Sequence, residues 1–275
     1  MLNFTLMDFF GSYKINDALK FLQINHPEYF LYKNLYFEYQ EGAFPYFYWS
    51  GYNFNNTPNS VLIQREQLTT NITSTPLLLN CENILLQESD LFDCKTNVML
   101  QLLENGSNAL LVSSPLIIDY VKQKYPQYYL IGGHSLQYFD PEKKYLDDVK
   151  LVRKWAEDNN EYYNDIPKNK IDICISSCCS HCDKRYNCFQ EDCMNRILFL
   201  EHSSIHTCPT KQFSLKTPDE IKALNREGYS HFYFDMSGFM LSDYMQVIDI
   251  YLKTFIKEEY YQTVRIELQE AYNGQ

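Results

Sequence analysis

Short apolar runs alternate along this chain with longer stretches of helical period. Residues 76–79, 109–112, 128–131 and 231–234 form compact apolar blocks, residues 34–39 and 171–175 are strand-like runs, and residues 149–152 are a weaker one. Between and after them lie segments with apolar positions three or four apart, among them 94–104, 117–124 and the longer 241–257. Asn105-Gly106, Pro126 and Gly228 stop three of these segments, and Thr217 followed by Pro218 caps and opens the one that Gly228 ends. The first thirty or so residues read as mainly helical. Ile15, Ala18, Leu19 and Leu22 share one face, Asn16-Asp17 supply a start cap, and Pro27 ends the segment.

Short apolar strands separated by helices are the signature of parallel βα units. Seven such strands approach the eight of a closed barrel. The pattern therefore predicts one α/β domain over residues 1–275, a TIM-like barrel that is complete or lacks a stave, with a cysteine-rich insertion at about 176–208.

Parallel barrels build their active face from the C-terminal ends of the strands. Six predicted strands end in polar residues: Gln40, Asn80, Ser113, His134, Ser176 and Asp235. Glu41, Asn80, Glu82, Ser113, His134 and Asp235 are accordingly expected around a barrel mouth. Glu82, His134 and Asp235 are the candidate catalytic groups, His134 as a general base or ligand and the carboxylates as acid or base. Glu41 and Asp235 close the first and last predicted strands, so barrel closure would set them side by side as paired carboxylates. Cys81, beside Glu82, is either a nucleophile or a buried packing residue.

Composition narrows the function classes. Lys and Arg number 24 against 35 Asp and Glu, a formal charge of −11, with no basic stripe, so nucleic-acid binding is disfavoured. No run of about 18 apolar residues is present, and the opening MLNFTLMDFF lacks a basic leader region and is broken by Asp8. A cytoplasmic protein without membrane spans is expected. Its nine cysteines then read as metal ligands and packing residues rather than a disulfide framework.

Seven of those nine cysteines fall between Cys174 and Cys208. Cys174 alternates with Ile173 and Ile175 and reads as packed; Cys81 and Cys94 also fit buried hydrophobes. Cys178, Cys179, Cys182, Cys188 and Cys193 lie among polar residues, unlike a core. A closed metal site takes four thiolates, and so does an iron–sulfur cluster. The preferred ligand set is Cys178, Cys182, Cys188 and Cys208, with Cys179 and Cys193 as spares and His181 as a further candidate. His202 and His206 lack the glutamate of a zinc-protease helix and read as surface residues.

The stretch Cys178-x3-Cys182-Asp183-Lys184-Arg185, following IDICISS, resembles a family of uncharacterised bacterial and phage barrel proteins. Their usual form is a strand, an Asn, then Cys-x3-Cys-Pro-x-Arg-x2-His-Tyr. Leu102-Leu103-Glu104-Asn105-Gly106, Leu111-Val112-Ser113-Ser114-Pro115, Tyr120-Val121-Lys122-Gln123-Lys124-Tyr125-Pro126 and Thr217-Pro218-Asp219-Glu220-Ile221 echo the same family, over roughly residues 30–260. Cys188 stands where that family has His, a swap that keeps a metal-binding side chain. Asp183 replaces its Pro, Ser177 and Ser113 replace Asn, and its late Lys-Ile-x-Gly-Arg becomes residues 234–239, without either basic group. The family is similar in turn to the collagenase-like peptidases, whose members hold an iron–sulfur cluster through four cysteines and support oxygen-independent hydroxylation of RNA bases or quinone precursors. The resemblance implies an iron–sulfur protein with redox or hydroxylation-type chemistry on a small organic substrate. Beside it stands a binding or interaction protein with a structural zinc. Neither catalysis nor oligomeric state follows from the residues.

Overall fold

The computed structural model describes residues 1–8, 12–42, 49, 75–83, 85–155, 158–177, 214–234 and 244–273. Eight parallel strands close into a barrel, so the predicted α/β fold holds with no stave missing. In chain order the elements are β1 (Leu2–Asp8), α1 (Ser12–Asn25), β2 (Leu35–Gly42), β3 (Leu77–Cys81), α2 (Cys94–Leu103), β4 (Ala109–Val112), α3 (Pro115–Lys124), β5 (Tyr129–Gly132), α4 (Leu136–Phe139), β6 (Leu151–Trp155), β7 (Ile171–Ser177), β8 (Ser214–Leu215), α5 (Pro218–Arg226), β9 (His231–Phe234), α6 (Tyr244–Phe255) and α7 (Tyr261–Asn273). The barrel runs β1 to β7 in sequence, then β9, which returns to β1. The two-residue β8 adds antiparallel to the end of β7.

The eighth stave is β1, which the sequence reading had placed in a helical stretch. Its period is two: Leu2, Phe4 and Leu6 are buried toward the helices, while Asn3 and Thr5 pair in register with His231 and Tyr233 of β9. Three apolar residues directly followed by a strong helix leave that alternation easy to overlook. Asn16 is not a helix cap either. It is fully buried within α1, donating to the Met7 carbonyl at 2.9 Å and accepting from the Tyr251 hydroxyl at 2.5 Å, which ties α1 and α6 to the end of β1.

Two cores result from the alternation along the strands. The outer one lies between staves and helices, and its aromatic centre is Phe255 of α6. Phe4 meets it edge-on at 4.9 Å, Phe37 at 5.3 Å and Phe234 at 6.0 Å, and Phe4 also stacks on Phe232 at 5.3 Å. The inner core fills the lumen in layers. Tyr39, Leu78, Ala109, Leu111, Ile131 and Leu151 make the apolar layer, and Trp155, Cys174 and Tyr233 pack above it toward the C-terminal ends.

The N-terminal end of the lumen is closed by ion pairs. Glu38 bonds His231 Nδ1 and Lys150 Nζ, each at 2.8 Å, and the Lys150 ammonium rests over the rings of Tyr39 and Tyr129. Burial pushes the Glu38 carboxyl up, but its bonds to His231 and Lys150 outweigh burial and hold it below the usual range. Among the described residues no helix is long and apolar enough to cross a membrane.

Phe4 tests the added stave. Phe4→Ala should lower stability by about 3–5 kcal/mol in urea unfolding at unchanged m-value. A loss below about 1 kcal/mol would mean that residues 2–8 do not form a barrel strand.

Candidate functional site at the C-terminal mouth

Because all eight staves are parallel, their C-terminal ends share one face. On the β3–β5 side, Glu82 follows β3, Ser113 follows β4 and Gly133 follows β5. The Ser113 hydroxyl donates to Glu82 Oε1 at 3.0 Å, and Asn80 Oδ1 accepts from the Glu82 amide at 3.0 Å, which fixes the turn carrying the carboxylate. The half-buried Glu82 side chain lies directly against Gly133. A Cβ at Gly133 would sit 1.8 Å from Glu82 Oε1 and 2.4 Å from Ser113 Oγ, so any larger residue would have to displace the ends of these two side chains. The Gly133 amide still donates to the Val112 carbonyl at 2.7 Å, continuing the ladder past the end of β5.

His134 turns the next side chain toward β6 and β9. Its ring stacks flat on Trp155, with centroids 3.6 Å apart and planes within 4°, and its Nε2 meets the Tyr233 hydroxyl in a short hydrogen bond. Its own carbonyl accepts from Gln137 Nε2 at 3.1 Å. The imidazole and the phenol are both buried. Gly133 and His134, adjacent in sequence, thus join the Glu82–Ser113 pair to the Trp155–Tyr233 pair.

Beneath Tyr233 lies a buried cation. The Arg153 guanidinium is 4.0 Å from the Tyr233 ring centroid and forks onto Glu41, with Nη1 to Oε1 at 3.1 Å and Nη2 to Oε2 at 2.6 Å. Its Nε lies 3.5 Å from Asp172 Oδ2, an ion pair without a hydrogen bond. Burial works against the guanidinium charge, but Glu41 outweighs it and Arg153 is held more firmly protonated than usual. For Asp172 burial wins: its carboxyl is pushed up to about 6, and the pull of Arg153 and His231 recovers only part of the shift. The difference follows from geometry, since Glu41 takes the two forked bonds and Asp172 is left with the longer contact.

Several expected placements are corrected. Strands β2 and β9 are separated by β1 rather than adjacent, and Glu41 pairs with Arg153 across the lumen; the expected neighbour Asp235 lies outside the described residues. Cys81 needs no correction as a packing residue: it is buried in the outer core, where burial pushes its thiol well up and disfavours the nucleophile alternative. Cys94 is exposed rather than buried, whereas Cys174 is buried as expected, its thiol donating to the Ser176 carbonyl. Asp235, the cysteines at 178, 179, 182, 188, 193 and 208, and His181, His202 and His206 lie outside the described residues. Among the described residues no group of three His, Cys, Asp or Glu side chains could hold a metal.

Sequence reasoning missed Arg153, Trp155, Asp172 and Tyr233. A signal was present. In Leu151-Val152-Arg153-Lys154-Trp155 and Ile171-Asp172-Ile173-Cys174, Arg153 and Asp172 occupy the lumen-facing parity of neighbouring strands, and the two residues are register partners. Comparison with protein-family models, curated proteins and solved structures finds no match to this chain.

Two outcomes follow from these contacts. The Glu82–Ser113 coupling, measured by a double-mutant cycle of Glu82→Gln and Ser113→Ala, should be about 1 kcal/mol and fall to near zero in a Gly133→Ala background, because the added methyl evicts the flexible carboxylate. An undiminished coupling in that background would contradict the close approach. For Asp172, the folded state keeps its proton up to about 6, against 3.8 for an ordinary aspartate. Between those values the folded state binds more protons than the unfolded one, so this group's contribution to stability is lost as pH rises through the window. Asp172→Asn should remove that part of the slope in pH-dependent urea unfolding.

Proposed function

We propose that this chain is a cysteine-ligated iron–sulfur or metal protein whose barrel mouth takes a small organic substrate for redox or hydroxylation-type chemistry. Cys178, Cys182, Cys188 and Cys208 would be the ligands. The observation that carries the reading is the course of β7. Its last residue, Ser177, lies on the C-terminal face, so Cys178 follows directly from the face on which Glu82, Ser113 and His134 gather. An apolar layer fills the lumen below, and Glu82, Ser113 and His134 gather at its C-terminal end, where parallel barrels bind their ligands. Glu82 supplies an acid–base group there, and His134 and Tyr233 supply a hydrogen-bonded pair. The motif resemblance of the cysteine stretch supports the cluster in particular.

A second reading uses the same four thiolates, a set that also suits a structural zinc. The barrel would then be a binding or interaction protein.

Anaerobic purification separates the two. Brown protein with broad visible absorption and bound iron and sulfide supports the cluster. Colourless protein with about one zinc per chain supports the second reading, and metal-free protein of full stability overturns both. Under either, Cys188→Ala should release the metal and lower the melting temperature, since a closed site loses a ligand.

A further inference from the structure

We propose that the lumen contains a one-proton switch: with a proton on Asp172 the Arg153 guanidinium is held by Glu41 alone, and loss of that proton lets Asp172 draw Arg153 Nε into a second charged bond and loosen the fork on Glu41. The switch goes beyond the reading of the mouth and does not depend on what the cysteines hold.

Strand register puts the three groups within reach of one another. Asp172 on β7 is the register partner of Arg153 on β6 on one side and of His231 on β9 on the other. Glu41 reaches the same guanidinium from β2, across the lumen. Arg153 and Asp172 are both almost fully buried, so neither can exchange its partner for solvent.

The bonds around the guanidinium are unequally divided. Glu41 takes Nη1 at 3.1 Å and Nη2 at 2.6 Å. Arg153 Nε and Asp172 Oδ2 are buried atoms without a hydrogen-bond partner among the described residues, and they face each other at 3.5 Å. A charge-assisted N–H···O bond is about 2.7–2.9 Å long. An unused donor thus stands opposite an unused acceptor, just short of a bond. Leaving both unpaired is costly, and one small movement satisfies the two together. An ionised Asp172 supplies the attraction for that movement. A neutral acid does not, and with its proton on Oδ2 it sets one donor against another.

Charge balance keeps the proton within reach of ordinary pH. Arg153 and Lys150 already match Glu41 and Glu38, which bind them directly, so an ionised Asp172 is the surplus charge. Burial is the largest influence keeping Asp172 protonated, and Glu38 and Glu41 on β2 add to it; Arg153 on β6 and His231 on β9 favour the carboxylate. The remaining groups are uncharged. Cys174, two residues along β7, donates its thiol proton to the Ser176 carbonyl, and by the parity of β1 only Asn3 and Thr5 turn toward the lumen. The outcome is a carboxyl pushed up to about 6.

The consequence falls on Glu41. It is the next-to-last residue of β2, on the C-terminal side of the lumen. A guanidinium drawn toward β7 gives up part of its fork, so the Glu41 carboxylate is fully engaged below the transition and partly released above it. One buried aspartate on β7 thereby governs a carboxylate on the far side of the barrel.

The test needs no substrate. Carboxyl-carbon and arginine side-chain NMR of the full-length protein reads each group, assigned by through-bond connection to its own backbone. The expected result is an Asp172 midpoint near pH 6, against about 4 for an ordinary aspartate. The Arg153 Nε–H resonance should move downfield as pH rises, and the Glu41 carboxyl resonance should move with it, both at the Asp172 midpoint. In Asp172→Asn both companion shifts should vanish. An Asp172 midpoint at about 4 overturns the proposal. So does an Arg153 Nε–H signal that stays in place while Asp172 titrates, or companion shifts that persist in an Asp172→Asn protein whose circular dichroism shows it folded. Should that variant fail to fold, the unmodified protein decides: one midpoint shared by the three groups supports the switch, and separate midpoints overturn it.

Discussion

A single guanidinium inside the barrel sets the terms for what surrounds it. Arg153 is buried in the lumen, where an isolated charge costs several kcal/mol. Its compensation comes from three staves: Glu41 on β2 takes both forked bonds, Asp172 on β7 stands at the third nitrogen, and Tyr233 on β9 presents its ring face. None of these partners is local in sequence. The forked contact with Glu41 crosses the lumen from β6 to β2, so the charge rewards the correct strand order and penalises any packing that leaves it unmatched. The geometry of the mouth then follows upward, from Arg153 to Tyr233, from Tyr233 to His134, and from His134 through Gly133 to Glu82.

Much of the architecture was legible because it obeys simple periods. Seven staves announced themselves as apolar blocks between helical segments, and α5 carried its cap in plain view: Thr217 bonds the Glu220 amide while Glu220 reaches back to the Thr217 amide. Strand β1 escaped because its alternating residues run straight into a helix. The site divides in the same way. Glu82, Ser113 and His134 could be found because they end strands, a position that marks polar residues in any barrel. Tyr233 and Trp155 could not, since an aromatic residue in a strand looks the same whether it faces helices or lumen. Arg153 and Asp172 were recoverable only by asking which strand face each charge occupies and which strand lies next to it.

The cysteines illustrate how environment divides residues of one kind. Cys81 and Cys174 sit in apolar surroundings, the first outside the sheet and the second within the lumen, while Cys94 stands in solvent at the start of α2. Sequence alternation identified Cys174 correctly. It failed for Cys94, which looked like a buried hydrophobe but occupies a helix position facing away from the core.

The pairing of β1 with β9 has a consequence for how the protein is made. Asn3 and His231 are neighbours in the sheet yet 228 positions apart along the chain. During synthesis the first stave emerges early and can pair with β2, but its other edge must wait for nearly the whole barrel to leave the ribosome. Until then it is an open sheet edge with Phe4 and Leu6 lacking the β9 and α6 side of their packing. Closure is therefore a late event with a high entropic cost, and the nascent barrel depends through most of its translation on whatever shields that edge from its neighbours.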